Sequence, residues 1–534
     1  DLPADVNTML IARIDRLAQQ VKQVVQVAAV LGREFDVQLL SDMLQADILP
    51  EVQRAENEQI WSLLHELRYI FKHALLRDAA YEMQLQTRLR ALHCLAAEGL
   101  ERLHAADLAP YYGALAYHYA TAYRQGADEV RGQASTYLHQ AGAQAARNYA
   151  NAAALDYYAR LLPLLTEPLE QIEIRLQRGA VWQLTGQWAE AEAEYRAGLA
   201  LAEQIQDAPG RARTRQMLGT LARLRGNNEE ALAQLKQARA EWTVLDDQPM
   251  LSRTVTEIGY VYLRKGDFAE ARRHSEKGLM LARELGDKHG IALALNTLGI
   301  VAYHQVEYVA ARALYEEGLT LRRELGDKRD ISVSLNNLGV NARAQGDYAT
   351  ARALHGESLV FKREMGDKRG IAMSLSNLGL LAYAQGDYVA ARAFQEESLA
   401  IFHEIGDKQG IAWLVLGLVD LAEHKAEARE HLLNSLRLQQ ETGEQHAQTS
   451  SLIGIAGWAL QVGQPRFAAQ LLGVVISALN ALKAKVDSDL ENLYTQTLAQ
   501  AREQLGEEAF NAAWEEGSRW SLEEAVQLVF NVTG

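Results

Sequence analysis

Apolar residues along most of this chain recur at spacings of three and four, the pattern of helices that bury one face. In IAMSLSNLGLLAYAQGDYVAARAFQEESLAIFHEIGDKQG, residues 371–410, Leu375, Leu378, Gly379 and Ala382 fall on one face of a first helix. Gly386 ends that helix as a left-handed cap, and Asp387 is placed to accept a backbone N–H at the start of a second. The second helix is predicted to turn Ala391, Phe394, Ser398 and Leu399 inward and to close at Gly406. The motif recurs every 40 residues: Gly179, Gly219, Gly259, Gly299, Gly339 and Gly379 mark one register, and Gly186, Gly226, Gly266, Gly346 and Gly386 a second, with Val306 the substitution. A third register holds Gly286-Asp287-Lys288, Gly326-Asp327-Lys328, Gly366-Asp367-Lys368 and Gly406-Asp407-Lys408. Asp267 with Glu270 offers a capping box at the corresponding helix start. The mid-helix glycines have a packing reason, since they let the partner helix approach, and a bulky replacement is expected to cost about 1–3 kcal/mol.

Composition supports helices throughout. The 534 residues include 8 prolines and 7% aromatics among 48% hydrophobic residues, which suits helices better than strands. The expected class is all-α. A formal charge of −15, from 69 acidic and 54 basic residues, would repel phosphate backbones and anionic lipid, so nucleic acid is not an expected partner. Cys94, the one cysteine, cannot form an intrachain disulfide, and no signal-like segment or apolar run of membrane length stands out, so a cytoplasmic location without membrane contact is expected. The chain starts at Asp1 inside a helical pattern, which reads as a piece of something longer.

The Leu, Leu-Gly, Ala/Tyr, Gly-Asp-Tyr and Ala pattern resembles the tetratricopeptide repeat, in the longer-period form also found in kinesin light chains. The resemblance spans residues 134–483 in about nine helix pairs and implies a right-handed superhelix. It weakens at the edges, where Gly142 belongs to a shorter unit, Gly417 follows Gly379 by 38 residues, and QVGQPRFAAQLLG is degenerate. Residues 484–534 are then C-terminal capping helices and 106–133 a helical linker or first degenerate repeat. Residues 1–105 lack the period. Their LPADVNTMLIARIDRL, VVQVAAVLGREFD and YIFKHALLRDAAYEMQ resemble the winged-helix segment of bacterial signal-transduction ATPases with numerous domains. Similar proteins carry a class III adenylate or guanylate cyclase or a LuxR-type DNA-binding domain, and LGEEAFNAAWEEGSRWSLEEAVQLVF resembles their closing segment. The resemblance implies an upstream nucleotide-binding core that takes ATP or ADP with Mg, and it places His73 where such proteins read the nucleotide state. Beside Phe71 and Leu75, His73 equally reads as a half-buried packing residue.

The chain itself offers no chemistry of that kind. It has no G-x-x-x-x-G-K-[ST] loop, H-E-x-x-H, cysteine pairs, G-x-S-x-G or G-x-G-x-x-G, so catalysis and a cofactor are not expected of it. Cys94 next to His93 reads as core, and Arg272-Arg273 and Arg322-Arg323 as solvated helix surface.

A stacked helix hairpin exposes the outer side of its first helices on a concave surface. At about 100° per residue, the buried face of residues 371–384 lies opposite Met373, Asn377, Leu380 and Ala384. Translating by 40 gives a groove of Arg213, Met217 and Thr220; Arg253, Glu257, Tyr260 and Arg264; Leu293, Thr297, Ile300 and His304; Val333, Asn337 and Val340. Asn296 and Asn336 flank it. Asn337 and Asn377 sit where tetratricopeptide proteins often bracket a ligand backbone, and an amide both donates and accepts; the alternative is that they merely cap or solvate the groove. Arg253 and Arg264 suit an acidic group, and Ile300, Val340 and Leu380 an apolar one. The expected function is a non-catalytic sensor that binds a protein or peptide in the groove and biases the upstream switch. A small-molecule inducer, as in transcriptional activators resembling the maltose-regulon type, and a passive or self-associating scaffold are the alternatives.

Overall fold

The structure, a computed structural model, describes residues 4–406, 411–487 and 489–532, in two units divided between Glu167 and Pro168. Asp407 and Lys408 of the last Gly-Asp-Lys motif lie outside the described residues. The N-terminal unit begins with α1 (Ala4–Asp15), α2 (Gln19–Leu31), β1 (Glu34–Asp36), α3 (Val37–Leu44) and α4 (Leu49–Asn57). A hairpin of β2 (Trp61–His65) and β3 (Arg68–Phe71) follows, then α5 (Ala74–Glu82), α6 (Gln86–Leu103), α7 (Tyr112–Arg124), α8 (Arg131–Arg147) and α9 (Asn151–Leu161). The sheet is antiparallel in the order β1-β3-β2. This winged-helix-like order of helix, strand, two helices and hairpin is pinned by Phe35, Trp61, Tyr69 and Phe71, whose rings pack at 4.9–6.5 Å. Behind it the helices hold a buried polar chain: His93 Nδ1 lies 2.9 Å from His118 Nδ1, and Tyr81 Oη 2.9 Å from His93 Nε2. The expected core residue Cys94 is only half-buried; its neighbour His93 takes the interior position.

The second unit is a run of helix hairpins with a cap. Its first helices are α10 (Pro168–Leu184), α12 (Ala208–Leu224), α14 (Gln248–Arg264), α16 (Lys288–His304), α18 (Lys328–Ala344), α20 (Lys368–Ala384), α22 (Ile411–Ala422) and α24 (Gln445–Gln461). The second helices are α11 (Trp188–Gln204), α13 (Asn228–Leu245), α15 (Phe268–Leu285), α17 (Tyr308–Leu325), α19 (Tyr348–Met365), α21 (Tyr388–Ile405), α23 (Ala428–Thr442) and α25 (Pro465–Leu482). The cap is α26 (Glu491–Leu505), α27 (Glu507–Ser518) and α28 (Leu522–Val532). Among the described residues α25 alone is long and apolar enough to cross a membrane, and Leu471, Leu472, Val474 and Val475 bury it in the protein core.

The predicted local signals are in place. Gly386 has φ 76°, and Asp387 accepts the N–H of Ala390 at 3.1 Å. Asp267 accepts from the Glu270 N–H at 3.1 Å, but the Glu270 carboxylate turns to Arg273 rather than completing the capping box. Val306 takes the glycine's left-handed place at φ 65°, which a β-branched side chain adopts only under strain.

Two expectations are corrected by the packing of second helices. Gln395, not Phe394, takes the inward position between Ala391 and Ser398 on α21; it stands opposite Gly379 and donates Nε2 to the Ser376 carbonyl at 2.8 Å. Arg322 is buried, not solvated, because it donates to Ser334 Oγ at 2.7 Å and to the Asp330 carbonyl at 3.0 Å across to the next repeat. Forty residues on, Lys362 repeats the contact with Ser374 Oγ at 2.9 Å. Burial lowers the Lys362 ammonium from its ordinary 10.5 to about 8. The folded state therefore binds its proton more weakly than the unfolded chain, and the cost is full below pH 8 and relieved as pH rises toward 10.5. Lys362→Met is expected to raise stability by about 2 kcal/mol at pH 7, with the advantage shrinking between pH 8 and 10.5 in urea titrations. A gap independent of pH would mean that the lysine is not desolvated.

The array also winds back on itself. A Cβ added at Gly226 would meet Thr442 Cγ2 at 2.8 Å, and one at Gly266 would meet Leu482 Cδ2 at 3.2 Å. These pairs are each 216 residues apart, about five and a half repeats of 40. Asn228 Nδ2 donates to the Thr442 carbonyl at 3.1 Å, and Trp188 and Leu221 share a core with Phe402 and Ile405. Early and late repeats thus meet along a seam, and the groove between them becomes a partly enclosed lumen.

Candidate functional site

First helices line the lumen, because their second helices cover the outside and their glycines let the pairs close. It divides into three chambers that share walls. The smallest, about 170 Å³, lies between Tyr260, Phe268, Ile300 and His446. The middle one, about 310 Å³, is walled by α14, α16, α18, α20, α22 and α24 and by the segment before α26. The largest, about 980 Å³, runs past Tyr348, Tyr383, Tyr388 and Gln496. Arg264, Ile300, His304, Glu444, His446 and Ala447 face both the first and second chambers; Arg343, Leu418 and Asp489 face both the second and third. An ion pair guards each passage, Arg264 with Glu444 and Arg343 with Asp489.

The middle chamber gathers Arg264, Ile300, His304, Asn336, Asn337, Val340, Asn377 and Leu380 of the groove read from the sequence. Its asparagines form a ladder across repeats. Asn377 Nδ2 donates to Asn336 Oδ1 at 3.0 Å, and Asn337 Nδ2 donates to Asn296 Oδ1 at 2.7 Å. Asn296 supports a rung from behind and does not line the chamber. One N–H of each donor is spent on the ladder, which leaves a second N–H and a carbonyl oxygen per amide to offer a guest. Burial, aided by the adjacent His446, holds the His304 imidazole well below the ordinary histidine pKa.

Tyr260 lines the smallest chamber, and the charged residues at the early end of the groove are engaged elsewhere. Arg213 pairs with Glu173 at 2.9 Å, and Arg253 grips Asp287 through two contacts of 2.9 Å. Glu257 lies 3.5 Å from Arg223, whose guanidinium sits 4.4 Å above the Tyr260 ring. These pairs tie neighbouring repeats together. His73 stands in the N-terminal unit at the residue before α5, extended and exposed, and not on the amphipathic helix where a packing role would put it.

Sequence reasoning missed Arg343, Glu444, His446, Asp487 and Asp489. Arg343 carried a signal, since the equivalent positions 303 and 383 hold tyrosine and 263 leucine. The acids near 487 lie outside the 40-residue period and gave none.

The repeats also match a known family model. Residues 170–240, 251–324 and 330–404 match the family model of the tetratricopeptide repeat. No curated protein matches the chain. A signal-transduction ATPase with numerous domains and a tetratricopeptide repeat sensor, from Pyrococcus horikoshii, is 14% identical with a TM-score of 0.43; the match covers 83% of this chain and 65% of that one. A Rap protein complexed with Competence and Sporulation Factor is 18% identical with a TM-score of 0.45, over 68% of this chain and 98% of that one. BtubC from P. vanneervenii is 22% identical with a TM-score of 0.30, over 43% and 92%. Residues 170–240, 251–324 and 330–404 of the array are tetratricopeptide repeats, stacked as an all-helical solenoid.

Proposed function

We propose that this chain is the non-catalytic sensor region of a bacterial signalling ATPase, and that it recognises a peptide, or an extended segment of a protein, inside the lumen. The observation that carries the reading is the row of three chambers with shared walls, longer than a compact metabolite needs. Amides on the Asn337 and Asn377 rungs suit a peptide backbone, and Ile300, Val340 and Leu380 suit its apolar side chains. Loosening of the seam between early and late repeats would widen the lumen for a guest. A ligand that binds the loosened array better then shifts the population toward it, and that shift is what an upstream nucleotide-binding core would read, with His73 as its contact to the nucleotide. The winged-helix-like order of the N-terminal unit supports such a neighbour. Its α4 carries Glu51 and Glu56 against Arg54, a balance unsuited to DNA phosphates.

The test is calorimetry with a peptide library on the whole chain. Asn337→Ala combined with Asn377→Ala is expected to weaken the best binder about tenfold or more, at about 0.5–1.5 kcal/mol per hydrogen bond lost. Unaltered affinity would remove the lumen from recognition.

The middle chamber favours one alternative, a small-molecule inducer. Its volume of about 310 Å³, with apolar walls around convergent amides and charges, matches a compact ligand. Saturable binding of a small effector, with no response to peptides, would establish that reading instead.

A further inference from the structure

His304, the last residue of α16, His446, at the start of α24, and Asp487, in the segment before α26, meet at the passage between the first two chambers. One donor atom from each lies within 4.8 Å of the others, and His446 Nε2 is 3.9 Å from Asp487 Oδ1. Three features go beyond proximity. His304 Nδ1 is buried without a hydrogen-bond partner, a costly state for a ring nitrogen. Ser450 Oγ donates to Asp487 Oδ2 at 2.8 Å, which fixes the carboxylate with Oδ1 toward His446, the kind of outer contact that orients a metal ligand. Phe268 stacks on the His304 ring at 5.2 Å and holds its plane.

The charges agree. Of the charged side chains lining the middle chamber, Arg264 pairs with Glu444 and Arg343 with Asp489, so Asp487 is the acid in excess. We propose that His304, His446 and Asp487 bind a divalent transition-metal ion, zinc by preference, which clamps α16 to α24 and to the segment before α26. Two imidazoles and a carboxylate suit zinc and its neighbours rather than calcium or magnesium, which take oxygen ligands. Tetrahedral zinc with bonds of about 2.0–2.2 Å places its donors about 3.3–3.6 Å apart, so side-chain rotation of roughly an ångström closes the set. His446 Nε2 gives up its 3.4 Å contact with the Lys485 carbonyl in doing so. Three protein ligands leave a fourth position, which opens on the chambers and is available to a donor atom of whatever enters.

The clamp joins residues 142 and 41 positions apart in sequence (304 to 446 and 446 to 487). Occupancy would therefore hold the late repeats on the earlier ones and resist loosening of the seam. To test it, the whole chain is stripped with a chelator and titrated with Zn(II) by calorimetry, and with Co(II) while following its ligand-field absorption. The expected result is one ion per chain, a tetrahedral cobalt spectrum and a higher melting temperature. His304→Gln and Asp487→Asn are each expected to weaken binding by at least about tenfold while keeping the circular dichroism of the parent. His139→Gln, an exposed histidine of the N-terminal unit, serves as control and should leave binding unchanged. Absence of saturable binding to the parent chain, or affinity unaltered in both cluster variants, would overturn the site.

Discussion

Asp489→Leu is expected to destabilise the late repeats and their cap by about 3–5 kcal/mol, the usual cost of stranding one member of a buried ion pair. The Arg343 side chain is 4% exposed and that of Asp489 9%, so the pairing holds both charges largely out of water. Arg343 also reaches Tyr303, but a phenol does not neutralise a guanidinium. Because α18 and the segment before α26 are joined here, the loss should appear in hydrogen exchange as early opening of α24 to α28 rather than uniformly. Adding Arg343→Met to Asp489→Leu removes the stranded charge and should recover most of the loss, since apolar replacements of buried pairs are often neutral. A single variant no less stable than the double would mean that water reaches the pair. The pair is also the wall between the middle and largest chambers, so the double variant should change the fit of any lumen ligand that the single variant, once destabilised, cannot report.

What was legible in the chain depended on period. Gly379 and its equivalents, the Asp387 cap and the hairpin boundaries follow from rules acting within about ten residues, and the helix wheel carried Ile300, Asn337, Val340, Asn377 and Leu380 to the lumen wall. The wheel says which side of a helix is turned inward; it does not say what the opposite wall is. That wall comes from the seam of Gly226 on Thr442 and Gly266 on Leu482, a contact over 216 residues with no local signature. For the same reason the groove shrinks at its early end, where Arg213, Arg253 and Glu257 spend their charge on neighbouring repeats. The buried Arg322 was misread because polarity was taken as a mark of the surface, and Gln395 was passed over for its apolar neighbour Phe394. Both satisfy backbone or hydroxyl partners in the adjacent helix, and that pairing is invisible until the repeats are stacked.

Gly517→Ala is expected to cost about 3 kcal/mol, at the upper end for one added methyl, because nothing around it can yield. A Cβ there would lie 2.0 Å from the Gln470 carbonyl oxygen and 2.7 Å from the Gln470 Cα. Across the same crossing, a Cβ at Gly473 would lie 2.5 Å from the Trp514 carbonyl oxygen. Helices α25 and α27 therefore meet backbone to backbone, and an added methyl must separate two helices instead of turning a side chain. The repeat glycines differ in kind: at Gly379 the nearest atom is Gln395 Nε2 at 2.2 Å, the end of a side chain, and the nearest backbone atom is the Ala391 carbonyl oxygen at 3.2 Å, so Gly379→Ala should cost less. Gly356, within α19, meets nothing within 4 Å, and Gly356→Ala should stabilise by about 0.5–1 kcal/mol through helix propensity alone. Urea midpoints for the three variants should thus fall in the order Gly356→Ala, Gly379→Ala, Gly517→Ala, from highest to lowest. A Gly517→Ala midpoint equal to that of the parent chain would show that α27 rides farther from α25 than the structure places it, and the cap would then contribute little to holding the last repeat.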